Sequence, residues 1–201
     1  WGECASSVMY GARAVKRLMT EWTEIVDRDY SHPSIVTWVP LNESWGMPHI
    51  HQNPMQQHFS LTMYHFLHAL DDTRPVISND GWEMTETDIC AIHNYAHGQK
   101  EETEKFACYR EMLSSAENLV KLPSTSWDIF ARGFEYRDTP IILTEFGGIG
   151  FELAGANAWG YTAVENEEEF LSDYGRIMDA VFASTGLCGF CYTQLTDVEQ
   201  E

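Results

Sequence analysis

Apolar positions along this chain switch between two spacings. Over residues 13–30 they fall at Val15, Leu18, Met19, Trp22, Ile25 and Val26, the three-or-four interval of a helix with one buried face. Ser31-His32-Pro33 ends it, because the residue before a proline is pushed out of the helical region. Residues 35–42 then form a continuous apolar, β-branched run, as expected of a strand buried on both faces. Pro40 violates that pattern locally, since proline donates nothing to a ladder, and is acceptable near the strand's end. Pro54 opens a second helix with Phe59, Met63, Phe66, Leu67 and Leu70 on one face. Short strands follow at 75–78 and 89–93, then a helix over 101–119 and a long irregular connection over 122–138. The pattern closes with a strand at 141–144, a Gly/Ala/Trp loop over 151–161, a helix over 167–182 with acids in its first turn, and a strand at 187–194.

Five strands alternating with helices predict βα units and a parallel sheet. A doubly wound nucleotide-binding sheet has little support, because no Gly-rich phosphate turn follows any strand. With 201 residues, no internal repeat and no low-complexity segment, one domain is expected. Two of the strands deliver a glutamate at their far ends: Glu43 after Asn42, and Glu145 after Thr144. Carboxyl ends of parallel strands are where α/β barrels place their chemistry. Two acids on different strands are the minimum equipment for cleaving a glycosidic bond.

Composition narrows the partners. Lys+Arg total 12 against Asp+Glu 31, a net charge of −19, which repels phosphate backbones and anionic lipid and so argues against nucleic acid and membrane. No apolar run approaches the roughly 18 residues a membrane helix needs. The first residues lack a basic stretch followed by an apolar one, so a cytoplasmic location is expected; a chain that starts at Trp1 is either processed or a segment of something longer. Aromatics are generous (seven Trp, nine Tyr, ten Phe) and serve mainly as core, with a surplus that can stack on sugar rings. Five scattered cysteines suit reduced thiols. Cys188 and Cys191 form a C-x-x-C inside a strand-like run that points them to opposite faces, so neither redox chemistry nor zinc is expected there. His49, His51, His58, His65, His68 and His97 offer no convincing third ligand and read as helical or loop surface residues.

The stretches that carry a resemblance run from end to end: His32–Gly46 (HPSIVTWVPLNESWG), Arg74–Trp82 (RPVISNDGW), Asp88–Tyr95 (DICAIHNY), Ile141–Gly148 (IILTEFGG) and Gly189–Asp197 (GFCYTQLTD). In order and content the chain resembles glycoside hydrolase family 2, the β-galactosidase and β-glucuronidase family. The resemblance implies an α/β fold: a partial (β/α)8 TIM barrel over residues 1–201, from the end of strand three (Trp1-Gly2-Glu3) through strand eight. Strands one and two and the β-sandwich domains of a longer chain would be missing partners.

It further implies a retaining exo-β-glycosidase, acting first on β-galactosides and next on β-glucuronides. Glu43 would be the acid/base and Glu145 the nucleophile; their plain alternatives are a surface loop acid and a helix-capping acid. Asn42 would bind the sugar 2-hydroxyl, its Asn-Glu-Ser sequon being a chance match. Tyr95 would hydrogen-bond the nucleophile and His93 line the same pocket, unless both are simply buried structural groups. Asn79, Asp80, Trp82 and Gln194 would contact the sugar, and Trp159 would be a platform or a loop anchor. No cofactor or metal is expected from the residues themselves; some family members hold magnesium through acids at the end of strand three, which makes Glu3 the candidate. A non-catalytic barrel fragment or sugar-binding module stays open as the alternative, and so does a homo-oligomer.

Overall fold

The computed structural model describes residues 1–121, 126–151 and 160–196. The chain divides into two compact units, one of Trp1–Ala91 with Trp127–Pro140, the other of Ile92–Ser126 with Ile141–Glu201.

In the first unit, strand β1 (Gly2–Glu3), helix α1 (Ala12–Asp29), strand β2 (Trp38–Val39) and helix α2 (Pro54–Leu70) follow in order. Helix α1 buries Leu18, Trp22 and Val26, three of the positions its spacing picked out. Asn53 caps α2, its Oδ1 accepting the Met55 N–H at 2.9 Å, and Pro54 fills the first helical position, where its missing donor costs nothing. Phe59, Met63, Tyr64 and Leu67 on α2 pack with the α1 residues and with Trp38, Leu41 and Val76 in one core.

Regular strand is shorter than expected over 35–42 and 75–78. Gly2 and Glu3 pair in parallel with Trp38 and Val39, and parallel bridges join Trp38 to Val76 and Asn42 to Asp80. Trp38 N–H donates to the Pro75 carbonyl and Ile77 N–H to the Trp38 carbonyl. Pro40 has no donor for the next rung, and pairing resumes when Asp80 N–H reaches the Leu41 carbonyl and Glu43 N–H the Asp80 carbonyl. The proline therefore breaks the ladder without shifting its register.

A buried ion pair ties this unit together. Asp71 caps α2, is 1% exposed, and accepts hydrogen bonds from Trp38 Nε1 at 2.9 Å, from Thr73 N and Oγ1, and from Arg74 Nη1 at 2.5 Å. Arg74 also donates to the carbonyls of Ile35, Tyr30 and His32 and lies over the Tyr30 and Trp38 rings. Burial alone would push the Asp71 carboxyl up, but the bonds from Thr73, Trp38 and Arg74 outweigh it and hold the group well below the usual carboxylate range.

The second unit takes up strand β3 (Cys90–Asn94) from Ile92 onward and continues with α3 (Thr103–Leu113), α4 (Ala116–Lys121), β4 (Ile141–Gly147), β5 (Ile149–Phe151), β6 (Thr162–Val164), α5 (Glu167–Phe182) and β7 (Gly189–Thr193). The strands order as β3-β4-β7, with β4 and β7 parallel. The helix expected over 101–119 is two helices, parted at Ser114 and Ser115. Ser114 Oγ donates to the Glu111 carbonyl and Ser115 Oγ accepts the Asn118 N–H, the local bonds by which serine competes with a continuous helix. Asn166 caps α5 by accepting Glu169 N–H at 3.0 Å, and Glu167, Glu168 and Glu169 occupy its positive end. The parallel pair β5–β6 was not visible in the sequence, since three residues cannot show a period. Most of the loop expected over 151–161, with Trp159, lies outside the described residues, as do residues 122–125 of the irregular connection.

Removing Asp71 leaves the Trp38 indole and the Arg74 guanidinium without their acceptor. Asp71→Ala should destabilise the protein by about 3–5 kcal/mol, read from the urea midpoint at neutral pH. Because the native Asp71 carboxyl is depressed, its contribution is complete above about pH 4 and drains away as pH falls toward the native value. The gap between wild type and Asp71→Ala should therefore narrow in strongly acid solution.

Candidate active site

Asn42 and Glu43 leave the β2 ladder where it turns. Trp45 N–H donates to the Asn42 carbonyl and Met47 N–H to the Ser44 carbonyl, and the backbone is left-handed at Glu43 (φ 49°) and Ser44 (φ 57°). Non-glycine residues in that region cost of order 1–3 kcal/mol each and persist only where surroundings impose them. Here Asn79 imposes them. Its Oδ1 accepts Ser44 N–H at 3.1 Å, and its Nδ2 donates to Ser44 Oγ at 3.1 Å and to the Trp82 carbonyl at 2.6 Å. Ser44 Oγ in turn donates to Glu83 Oε2 at 2.6 Å. Asn79 is fully buried, so its amide is committed to the turn that presents Glu43; as placed, it positions the acid and does not reach out to a sugar. Asp80, also buried, holds Glu43 through its backbone carbonyl. Trp82 is half-buried two residues further on.

Glu145 is aimed by a different device. Along β4 and β7, Leu143 pairs with Phe190 but Phe146 with Tyr192, so β4 carries one extra residue at Thr144–Glu145. A bulge of this kind turns a side chain out of the ladder. The carboxylate is 28% exposed; its Oε2 accepts the Tyr95 O–H at 2.5 Å and lies 3.3 Å from Nδ1 of fully buried His93. Burial and the adjacent Glu145 charge push the Tyr95 phenol far above its ordinary value, so it stays a donor at any working pH. Gly147 and Gly148 follow with φ of 96° and 64°. A Cβ on Gly147 would collide with the Tyr192 ring, and one on Gly148 would sit 2.6 Å from Tyr161. Glycine is thus required twice after the acid. Tyr161 stacks on Tyr95 at 3.8 Å between centroids, and Gly148 N–H donates to Thr193 O, one residue before half-buried Gln194.

Residues 4–179 match the family described as Glycosyl hydrolases family 2, TIM barrel domain. The chain belongs to that family. Over 145 residues it is 28% identical to the Beta-galactosidase of Leuconostoc mesenteroides subsp. mesenteroides, a match that covers 71% of this chain but only 11% of that protein. Among solved structures it is similar to a Bifidobacterium dentium beta-glucuronidase complexed with coumarin-3-O-glucuronide (TM-score 0.65, 18% identity, 98% of this chain and 31% of that one). It also resembles a Faecalibacterium prausnitzii Beta-glucuronidase (TM-score 0.57, 20% identity, 92% and 29%). A GH2 beta-galacturonidase from Eisenbergiella tayi bound to galacturonate gives a TM-score of 0.62 at 16% identity, over 96% and 32%. At these identities the neighbours show the TIM-barrel fold, and the chain spans about a third of their length.

Within this glycosyl hydrolase family 2 chain, the first unit gathers Asn42, Glu43, Asn79, Asp80 and Trp82, and the second gathers His93, Tyr95, Glu145 and Gln194. Several supporting residues escaped the sequence reading. Ser44 sat in the Asn-Glu-Ser motif, but its bond to Glu83 spans 39 positions and had no local signal. His97 is not a surface residue. It is fully buried, burial depresses its pKa, and Nε2 lies 2.7 Å from the Gly147 carbonyl, where it donates when neutral. Arg176 on α5 fastens the same loop by donating to the His97 and Gly98 carbonyls. All five cysteines are free thiols; buried Cys90 is pushed up to about 12 by its apolar surroundings. Glu3 is exposed, and no cluster of three or more ligands among the described residues includes it.

Asn79→Ala removes both halves of the clamp on Ser44. The Ser44 amide should then exchange with solvent at least tenfold faster while amides in α1 keep their rates, since losing one buried hydrogen bond costs about 1–3 kcal/mol locally. Hydrogen-exchange mass spectrometry of the 40–50 peptide measures this.

Proposed function

We propose that this chain carries the catalytic residues of a retaining exo-β-glycosidase that cleaves terminal β-galactosides, with β-glucuronides the next choice. It would supply the barrel from the end of strand three through strand eight, a reading supported by the parallel pairing of Gly2–Glu3 with Trp38–Val39. The observation that carries the proposal is the Glu145 carboxylate at a strand bulge, partly exposed, with a permanent hydroxyl donor 2.5 Å away. That arrangement suits an ionised nucleophile better than a helix cap. Family membership over residues 4–179 supports it.

In the first step Glu145 attacks the anomeric carbon while Glu43 gives its proton to the departing glycosidic oxygen, leaving a glycosyl ester on Glu145. In the second, Glu43 takes a proton from water, the water oxygen displaces Glu145, and both carboxyls return to their starting states. Retention requires the two carboxyls about 5–5.5 Å apart at reaction. Asn42 would bond the sugar 2-hydroxyl, a contact that strengthens in the transition state. Its Oδ1 is buried without a protein hydrogen-bond donor among the described residues, the condition in which a ligand hydroxyl is best rewarded.

Incubating the full-length protein that contains this chain with 2-fluoro-galactosyl and 2-fluoro-glucuronyl inactivators should give a covalent adduct on Glu145, found by peptide mass mapping. An adduct elsewhere, or none, would overturn the nucleophile assignment. Glu145→Gln should abolish hydrolysis. Glu43→Ala should spare substrates with excellent leaving groups far more than poor ones, which need the proton; equal losses on both would sink the acid/base role. Tyr95→Phe takes away the hydrogen bond that favours the ionised nucleophile, so the acid limb of its kcat/KM profile should move to higher pH.

A further inference from the structure

Trp82 and Trp127 lie outside the carboxylate chemistry, yet they are built as a pair. Their rings stack within 13° of parallel with centroids 6.1 Å apart, in the range of an offset stack. Each indole is fixed by backbone pairing at the next residue. Glu83 N–H donates to the Asp128 carbonyl, Met84 N–H to Ile129 and Ala131 N–H to Met84, and a parallel bridge joins Met84 to Phe130. The Trp82 carbonyl is further held by Asn79. Two large rings so firmly anchored would normally be core, but Trp127 remains 45% exposed. Beside the stack runs a polar rim. The Asp128 carboxylate, 74% exposed, is 3.6 Å from His51 Nε2, and His51 Nδ1 is 3.9 Å from Glu83 Oε1.

We propose that the Trp82–Trp127 pair is the platform for the leaving-group sugar, a neutral pyranose whose flat C–H face stacks on the indoles while its hydroxyls donate to Asp128 and the His51 edge. This rests on the reading of Glu43 as acid/base. Trp82 stands two residues beyond Asp80, whose carbonyl holds Glu43 N–H, and Glu83 reaches Ser44 directly. The segment that carries Trp82 is thus hydrogen-bonded to the turn that presents Glu43. Charge selects the class of ligand. The exposed Asp128 carboxylate on the rim, with buried Glu83 behind His51 and a chain of net charge −19, repels a carboxylated or phosphorylated leaving group, whereas hydroxyl donors match a carboxylate acceptor.

The test uses the full-length protein and two substrate types with the same glycone. Galactosyl and glucuronyl fluorides carry no leaving sugar; the corresponding disaccharides, with glucose as the leaving sugar, carry one. Trp127→Ala should lower the ratio of disaccharide to fluoride kcat/KM about tenfold or more, because the leaving sugar no longer has an indole face to cover. Trp127→Phe should restore most of it. A ratio unaltered in Trp127→Ala would overturn the platform. Titrating lactose into Glu145→Gln by isothermal calorimetry gives a readout free of turnover: a dissociation constant raised about tenfold or more when Trp127→Ala is added supports the platform, and an unchanged one rejects it. If the wild type cleaves neither fluoride, the hydrolytic reading falls, and this titration still decides the platform.

Discussion

The placement of the acid/base candidate hangs on one buried amide. Two successive residues, Glu43 and Ser44, hold a backbone conformation that L-residues avoid, at roughly 1–3 kcal/mol apiece. Against this stand the three hydrogen bonds of Asn79 and the Ser44–Glu83 bond, each worth about 0.5–1.5 kcal/mol net. The two sums are of the same size. The turn is therefore stable only while Asn79 is complete, and its burial keeps water from competing for the same donors and acceptor.

Glu145 reaches its place by a different route, through chain geometry more than side-chain support. An extra residue in β4 turns it out of the ladder, and two glycines behind it let Tyr192 and Tyr161 approach the backbone where any Cβ would collide. Tyr161 then stacks on Tyr95, whose hydroxyl meets the carboxylate. The Glu-Phe-Gly-Gly sequence thus encodes a direction as well as a carboxylate. The bulge points the acid, and the glycines admit the aromatic rings that brace its hydrogen-bond donor.

Much of this was legible in the chain and some was not, for reasons that divide cleanly. Helices α1, α2 and α5 announced themselves because a one-sided apolar stripe repeats over several turns and because Asn53, Pro54 and Asn166 mark their starts. Glu43 and Glu145 were visible because apolar runs ended in acids. Strand lengths were overread where Pro40 removed a rung. Asn79 was singled out as a sugar contact, whereas its neighbours leave it no free hydrogen; a residue type signals chemistry, but only packing says which way it faces. Glu83, Trp127 and His97 matter through partners far along the sequence, and no local spacing can report those. The Ser114-Ser115 break was written in the chain as two residues that compete for backbone bonds, a weaker sign than the apolar pattern running through them.

The Asp71 clamp bears on the order in which the chain takes shape. Its bonds join positions 33 to 44 residues apart at most, and the entropy of closing such loops grows only with the logarithm of their length. Every residue involved, from Tyr30 to Arg74, leaves the ribosome well before β4 is synthesised, at roughly 5–20 residues per second. The α1–β2–α2 segment can therefore close around Trp38 while the strand bearing Glu145 does not yet exist, so the half of the chain that holds Glu43 has a head start of several seconds.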